Sequence, residues 1–424
     1  MNYQVNRSVQ QIIAVLVVLI IFWAIFLKGA VADIYWYPIA LSIILLFFSG
    51  VIFWEKRIIP PPYYLGLEKF FLIWLSWLIL SGFISPHRWN TVFALERAIV
   101  GIIFFYLCLW IFQEAWLRKF LVWALFAIGL FYSLFGLFAY FTKSPLFLLG
   151  NNQDMVGGSF VNHNNFAGMI LLCFFLGVGF LMTIEAKRTI LASEVWAKRV
   201  LLVFPLLLLA LTLGFSLSRS GWISFALSIF FLIIWLSSSQ TNKKFRKYLP
   251  LILTLTFASL ALILILEKGV IKKRAETLKE FFTEPATGLT LTGRIKIWKS
   301  SILMIKDHPL LGIGPGSFWL EYPQYRQKGE LHGVRHSHND LLEVGAETGI
   351  VGLLLTLLLA FQIFRQIKKN YQALTSRFEK RLFRGISFGL FAFLLQDQVD
   401  FHFHIPGLYY YFLALLSFLV GGRR

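Results

Sequence analysis

Four short polar stretches interrupt an otherwise apolar chain, and they hold the residues whose types and spacing could do chemistry. The first runs from Gly150-Asn151-Asn152-Gln153-Asp154 through Gly157-Gly158-Ser159 to Asn162-His163-Asn164-Asn165-Phe166-Ala167-Gly168. The second is Ser216-Leu217-Ser218-Arg219-Ser220-Gly221-Trp222. The third opens at Thr292-Gly293-Arg294 and continues through Trp298 to Asp307-His308-Pro309 and Gly312-Ile313-Gly314-Pro315-Gly316-Ser317-Phe318. The fourth is Arg335-His336-Ser337-His338-Asn339-Asp340.

An arginine between two apolar segments is costly unless it is paired or faces water. Arg219 is therefore either a side chain snorkelling to the interface or an anion site. Serines flank it and a helix start follows, where free N–H groups and the helix dipole favour phosphate. Arg294 stands at the start of a helix expected over 293–306, with Ile295, Trp298, Ile302 and Ile305 on one face and Thr292 as cap. It reads either as a solvated arginine or as a second anion contact. The Gly312–Gly316 turn lacks the lysine and spacing of a P-loop, so a chain reversal is expected.

His338 precedes an apolar segment in which Asp340 and Glu343 resemble a capping pair. An unperturbed imidazole, with a pKa of about 6.5, suits proton abstraction near neutral pH. The alternative is a hydrogen-bonding residue, and His336 competes for either role. Asp397, Asp400, His402 and His404 invite a metal reading, but histidines at i and i+2 do not share a helix face, so no metal is expected. Glu96-Arg97 reads as a buried structural pair.

These residues must be positioned by membrane helices. Of 424 residues, 58% are hydrophobic and only 14% charged, far from the balance of a soluble domain. Continuous, non-alternating apolar runs of bilayer length exclude a soluble enzyme, a disordered chain and a β-barrel. The two cysteines, Cys108 and Cys173, lie inside apolar runs and read as packing residues. The expected fold is an all-α multi-pass transmembrane bundle of about twelve spans. They fall at 11–27, 35–54, 68–84, 95–112, 119–141, 164–183, 200–217, 221–238, 248–267, 340–364, 384–400 and 405–420. Residues 1–267 hold nine spans, 268–339 form one long outer loop with short helices, and 340–424 hold three, in one integral membrane domain.

With the N-terminus inside, basic residues crowd the inner connections, while the short outer segments hold only Lys28, Arg88, Arg97, Lys143 and Arg219. That bias is the positive-inside pattern and places both termini in the cytoplasm. The long outer loop carries 12 basic and 6 acidic residues, which favours an anionic ligand. The net charge of +19 is thus read against the membrane and not as nucleic-acid binding. Ala30-Val31-Ala32 has the pattern of a signal-peptide cleavage site, but the first apolar stretch is long and reads as an uncleaved anchor.

Two arginines and a neutral histidine on one outer face suit a lipid-anchored diphosphate sugar as donor. The diphosphate leaving group needs charge stabilisation, and the attacking hydroxyl needs a base. No nucleotide sugar is available outside the cytoplasm. A carrier of lipid-linked glycan is the competing class; symmetric halves and paired broken helices, its hallmarks, are not visible in the sequence.

The chain resembles the O-antigen ligase and polymerase family of bacterial inner-membrane glycosyltransferases. The resemblance rests on Gly158-Ser159-Phe160 with Asn162–Gly168, on Ser218-Arg219-Ser220-Gly221, on Gly293-Arg294 with Trp298, Asp307-His308-Pro309-Leu310 and Gly312–Gly316, and on His338-Asn339 followed by Gly349. It implies a metal-independent, inverting transfer of a glycan from undecaprenyl diphosphate at the periplasmic face, with no cofactor. Arg219 and Arg294 would hold the diphosphate and His338 would activate the acceptor hydroxyl, with His336, Asn164, Ser218 and Asp400 in support. The resemblance covers ligases, polymerases of O-antigen or exopolysaccharide, and protein O-oligosaccharyltransferases. No outer domain is seen after the last span, which tilts the expectation toward a ligase acting on lipid A-core, or a polysaccharide acceptor.

Overall fold

The computed structural model describes residues 6–62, 64–143, 155–184, 192–238, 291–327 and 333–422. Apolar side chains and chain-internal hydrogen bonding favour helix throughout a lipid-facing chain, and the described elements are all helical. In order they are α1 (Arg7–Phe26), α2 (Asp33–Glu55), α3 (Glu68–Ile84), α4 (Arg88–Ile111), α5 (Ala115–Thr142), α6 (His163–Thr183), α7 (Ala192–Phe215) and α8 (Arg219–Ser238). Then follow α9 (Leu291–Asp307), α10 (Phe318–Tyr325), α11 (Asp340–Ala373), α12 (Arg377–Asp397) and α13 (Pro406–Val420), with a short 3-10 turn at His402–His404.

Seven of these, α1, α2, α4, α5, α6, α7 and α11, are long and apolar enough to cross a membrane, and Arg219–Trp235 and Pro406–Val420 are shorter apolar helices. The protein is an all-α membrane bundle. Every expected span but one coincides with a described helix; 248–267 lies outside the described residues, as does Gly150–Asp154 of the first polar stretch. The long loop contributes α9 and α10 to the described structure.

Helix α6 is the axis of the bundle, with every residue from Asn165 to Met182 buried. Helix α12 packs on it through small residues: a Cβ on Gly385 would stand 2.4 Å from the Gly179 Cα. Such contact between backbones is how apolar helices associate where no water drives them together. The outward faces of the bundle carry large exposed apolar residues, among them Leu41, Phe48, Phe83, Phe138, Phe204 and Phe364.

Helix α11 is broken near its start. Gly349 has φ 71° and ψ −179°, a conformation open only to glycine. The freed groups are taken up by the glycine turn of the third polar stretch and by α3, where Trp77 Nε1–H donates to Thr348 O at 3.0 Å. Ile313 N–H donates to Ala346 O (3.1 Å), Gly314 N–H to Glu347 O (2.8 Å) and Ile350 N–H to Pro309 O (2.8 Å). Phe318 N–H donates to the Glu347 carboxylate at 3.0 Å. The turn therefore grips a carboxylate and a helix break of its own chain. This is the expected reversal with a defined task, because a break at this depth needs every backbone group satisfied. The sequence showed no broken helix; Gly349 reads there as an ordinary motif glycine.

Three further sequence readings change. Glu96 and Arg97 do not pair with each other: Arg97 reaches Asp33 at 3.3 Å and Glu96 accepts from the Tyr37 hydroxyl at 3.3 Å. Helix α9 begins at Leu291, so Thr292 lies inside it and not ahead of it. The cap of α11 is Asn339, whose side chain accepts from Leu342 N–H at 3.0 Å; Glu343 reaches back past it to Ser337 N–H at 2.7 Å.

Candidate active site

The first turns of four helices meet the C-terminal end of α12. Asn162 caps α6 by accepting from Asn164 N–H at 2.8 Å, which sets Asn164 and Asn165 in its first turn. Ser218 caps α8 by accepting from Gly221 N–H at 3.1 Å, which sets Arg219 as the first helical residue. Arg294 lies in the first turn of α9 and His338 just before Asn339 at the start of α11. Each helix start brings the positive end of its dipole.

Gln396, near the end of α12, joins two of them. Its amide donates to Asn164 O at 2.9 Å and reaches the Ser218 and Ser220 hydroxyls at 3.4 Å each. The sequence reading missed Gln396; a lone polar residue in the apolar run of α12 was the available signal.

Asp400 joins the other two. One of its oxygens is 3.8 Å from Arg294 Nη2 and the other 4.0 Å from His338 Nδ1. Phe401 N–H donates to it at 3.3 Å, and the Asn164 side chain also hydrogen-bonds to it. The Asp400 side chain is 0% exposed, that of Arg294 14% and that of His338 18%. The acidic partner of Arg294 thus comes from far along the chain.

His338 adopts a left-handed φ of 55°, an uncommon state for a residue with a Cβ. That twist turns its ring edge-on to Phe401, centroids 4.9 Å apart, with Nδ1 toward Asp400 but beyond hydrogen-bond length. Burial, then the Arg294 and His336 charges, push its pKa down to about 3, against a raising pull from Glu343. The imidazole is held neutral, the form that accepts a proton. Burial pushes the Asp400 carboxyl up to about 6, against the lowering pull of Arg294 and the hydrogen bonds from Phe401 and Asn164.

Several polar atoms here are buried without a hydrogen-bond partner: Arg294 Nε, Trp298 Nε1, His338 Nδ1, Asp400 Oδ2 and His402 Nε2. Unmet donors and acceptors gathered in one place mark a site awaiting a polar ligand. His402 Nδ1 is 3.0 Å from Asn165 Oδ1, which accepts its proton, so Nε2 is left bare. Burial and Arg294 hold this ring's pKa down at about 3.

His336 lies apart from His338 in function. It sits 2.9 Å from Glu343 Oε1, stacked on Phe401 at 4.6 Å. His404 Nε2 reaches the same oxygen at 3.2 Å. Among the described residues, His336, Glu343 and His404 are the group that could hold a metal ion. The sequence weighed His404 with Asp397, Asp400 and His402; the fold instead pairs it with α11.

The O-Antigen ligase family model matches residues 204–357, the segment that carries Arg219, Arg294 and His338. The chain is also similar to the exopolysaccharide production protein ExoQ of Rhizobium meliloti (strain 1021), 35% identical over 88 residues, or 19% of this chain. The match spans about a fifth of that relative's length (20%). The segment that holds the three residues is thus similar to the O-antigen ligase family, in agreement with the motifs and the membrane bundle.

Proposed function

We propose that the protein is a glycosyltransferase that moves a glycan from an undecaprenyl-diphosphate carrier to an acceptor hydroxyl at the periplasmic face of a bacterial inner membrane. The observation that carries this reading is the meeting of Arg294 and His338 at Asp400, beside the Ser218-Arg219-Ser220 joint. Arg219 and Arg294 hold the diphosphate, aided by the starts of α6, α8 and α9. Guanidinium forks match phosphate oxygens, and they stabilise the charge that grows on the leaving diphosphate as the glycosidic bond breaks. The transfer is metal-independent in this respect, because cationic side chains do the work of a divalent ion at the donor.

His338 takes the proton of the acceptor hydroxyl as its oxygen attacks the anomeric carbon from the face opposite the diphosphate, which inverts that centre. A histidine this deeply depressed is a weak base. A bound diphosphate offsets the Arg294 charge that depresses it, so donor binding raises its basicity. Asp400 orients Arg294 and balances its charge, and Asn164 and Ser218 shape the wall between the two arginines.

The acceptor is lipid A-core in the ligase reading. The role named for the relative, exopolysaccharide production, favours a second reading in which a growing polysaccharide is the acceptor. The test is an assay with purified protein in detergent, a defined undecaprenyl-diphosphate glycan, and lipid A-core or polysaccharide acceptors in parallel. Product with one acceptor supports the reading and names the acceptor. Failure with all acceptors, together with movement of labelled lipid-linked glycan across liposomes, would replace the enzyme with a carrier.

A further inference from the structure

Beside His338, but separate from the arginine site, the first turn of α11 and the 402–404 turn build a second constellation. Asp340 and Glu343 stand at i and i+3, on one face of the helix. His336 approaches from the preceding loop and His404 from the connection between α12 and α13. The two rings lie against each other, centroids 4.3 Å apart. We propose that His336 Nδ1, Glu343 Oε1 and His404 Nε2 bind one divalent transition-metal ion of the zinc class, with a fourth position left open.

The spacing fits. Ligand atoms around a tetrahedral ion at about 2.0–2.2 Å lie roughly 3.2–3.5 Å from one another. Here His404 Nε2 is 3.2 Å from Glu343 Oε1. His336 Nδ1 is 2.9 Å from Glu343 Oε1, and the His336, Glu343 and His404 atoms all lie within 4.8 Å of one another.

The outer atoms of the carboxylates are already fixed. Glu343 Oε2 accepts Ser337 N–H at 2.7 Å, and Asp340 Oδ2 accepts Phe403 N–H at 3.0 Å. Each carboxylate is thus held from behind by a backbone donor with its other oxygen turned inward. This is the supporting arrangement that orients metal ligands. Asp340, 7% exposed, stands beside the cluster, with Oδ1 3.4 Å from His404 Nε2 and its carboxyl hydrogen-bonded to that of Asp397. Charge points the same way: Asp340, Glu343, Asp397 and Asp400 are all buried here, and the guanidinium paired among them is that of Arg294. Access is provided by the histidines, whose side chains are 26% and 30% exposed. Two imidazoles and one carboxylate suit zinc or a neighbouring transition metal better than magnesium.

The ion ties the His336–His338 loop to the 402–404 turn and so helps fix the left-handed His338. It takes no part in holding the donor, which remains the work of the arginines. The inference therefore stands or falls independently of glycan transfer.

The test is zinc binding to the purified, untagged protein in detergent, stripped with chelator and reloaded, with cobalt as a spectroscopic probe. One tightly retained equivalent is expected, with a tetrahedral cobalt spectrum. Glu343→Gln and His404→Ala should each weaken binding by more than the about 10–100-fold that loss of a supporting residue alone costs. Exposed His308→Ala should bind as the wild type does. His336→Ala, on the loop side of the cluster, serves where His404→Ala fails to fold. Retention of no zinc by the wild type, or full retention by folded Glu343→Gln and His336→Ala, overturns the proposal.

Discussion

Arg294 and Asp400 form an ion pair at 3.8 Å in which the carboxylate side chain is fully buried. A buried carboxylate against one partly exposed guanidinium is not bought for stability, since desolvation consumes most of the attraction. It makes sense as a device that keeps an arginine extended into a polar pocket until a phosphate takes it. The same aspartate faces His338 at 4.0 Å, so one side chain touches both the donor and the acceptor sides of the proposed reaction.

Arg219→Lys and Arg294→Lys should each lower transfer by roughly tenfold or more. A lysine keeps the charge but loses the paired contacts of the fork, and one charge-assisted hydrogen bond is worth about 1.5–3 kcal/mol. The measurement is the initial rate of glycan transfer at saturating acceptor. Wild-type rates in both variants would remove the arginines from the diphosphate.

His338→Ala should abolish transfer while donor binding persists. Loss of a general base costs about 10²–10⁴-fold, readable on a gel. His336→Ala should be milder, because His336 faces Glu343 rather than Asp400 and Arg294. If His336→Ala is the silent variant's opposite, losing transfer while His338→Ala keeps it, the base has been assigned to the wrong histidine.

The pH profile should separate Asp400 from His338. Asp400 gains its proton as pH falls through about 6, whereas His338 stays neutral down to about 3. The acid limb of kcat/KM, which reports the free enzyme, should lie near 6 and vanish in Asp400→Asn. A limb that survives that substitution near the ordinary histidine value would return it to a histidine. Stability follows with opposite signs. Asp400 binds its proton more tightly when folded (about 6 against 3.8), so its contribution falls as pH rises through that window. His338 binds its proton less tightly when folded (about 3 against 6.5), so its contribution is lost as pH falls through that one. The two oppose in the wild type; Asp400→Asn should leave a protein that loses stability on acidification below about 6.5.

Transfer should require no added magnesium or manganese, because arginines replace the cation at the donor. Rates with and without these ions, in protein freed of them, make the comparison. Activity that appears only with magnesium would contradict the arginine mechanism, whereas an effect of zinc alone would point to the His336–Glu343–His404 cluster.

Gly349→Ala should lower the thermal midpoint of the detergent-solubilised protein. A Cβ there would stand 2.0 Å from Leu310 O, and the backbone conformation alone costs on the order of 1–3 kcal/mol for another residue. An unchanged midpoint would mean the break in α11 can relax without loss.

The sequence by itself determined the solvent of this protein and therefore its class. Apolar runs of bilayer length leave helices as the way to satisfy the backbone, and local periodicity and composition suffice to find them. It also singled out Arg219, Arg294 and His338, because a costly charge or an imidazole beside an apolar run stands out without any knowledge of contacts. Tertiary structure alone decided what faces them. Asp400 becomes the partner of Arg294 and His338, Gln396 bridges Asn164 to Ser218, and His404 leaves His402 to join Glu343, each across a large separation in the chain. The break at Gly349 was equally hidden, since a glycine's φ is set by the turn that packs against it. Spacing along a helix reports which residues share a face; it carries no information about which face of which helix closes the pocket, and that is settled by packing.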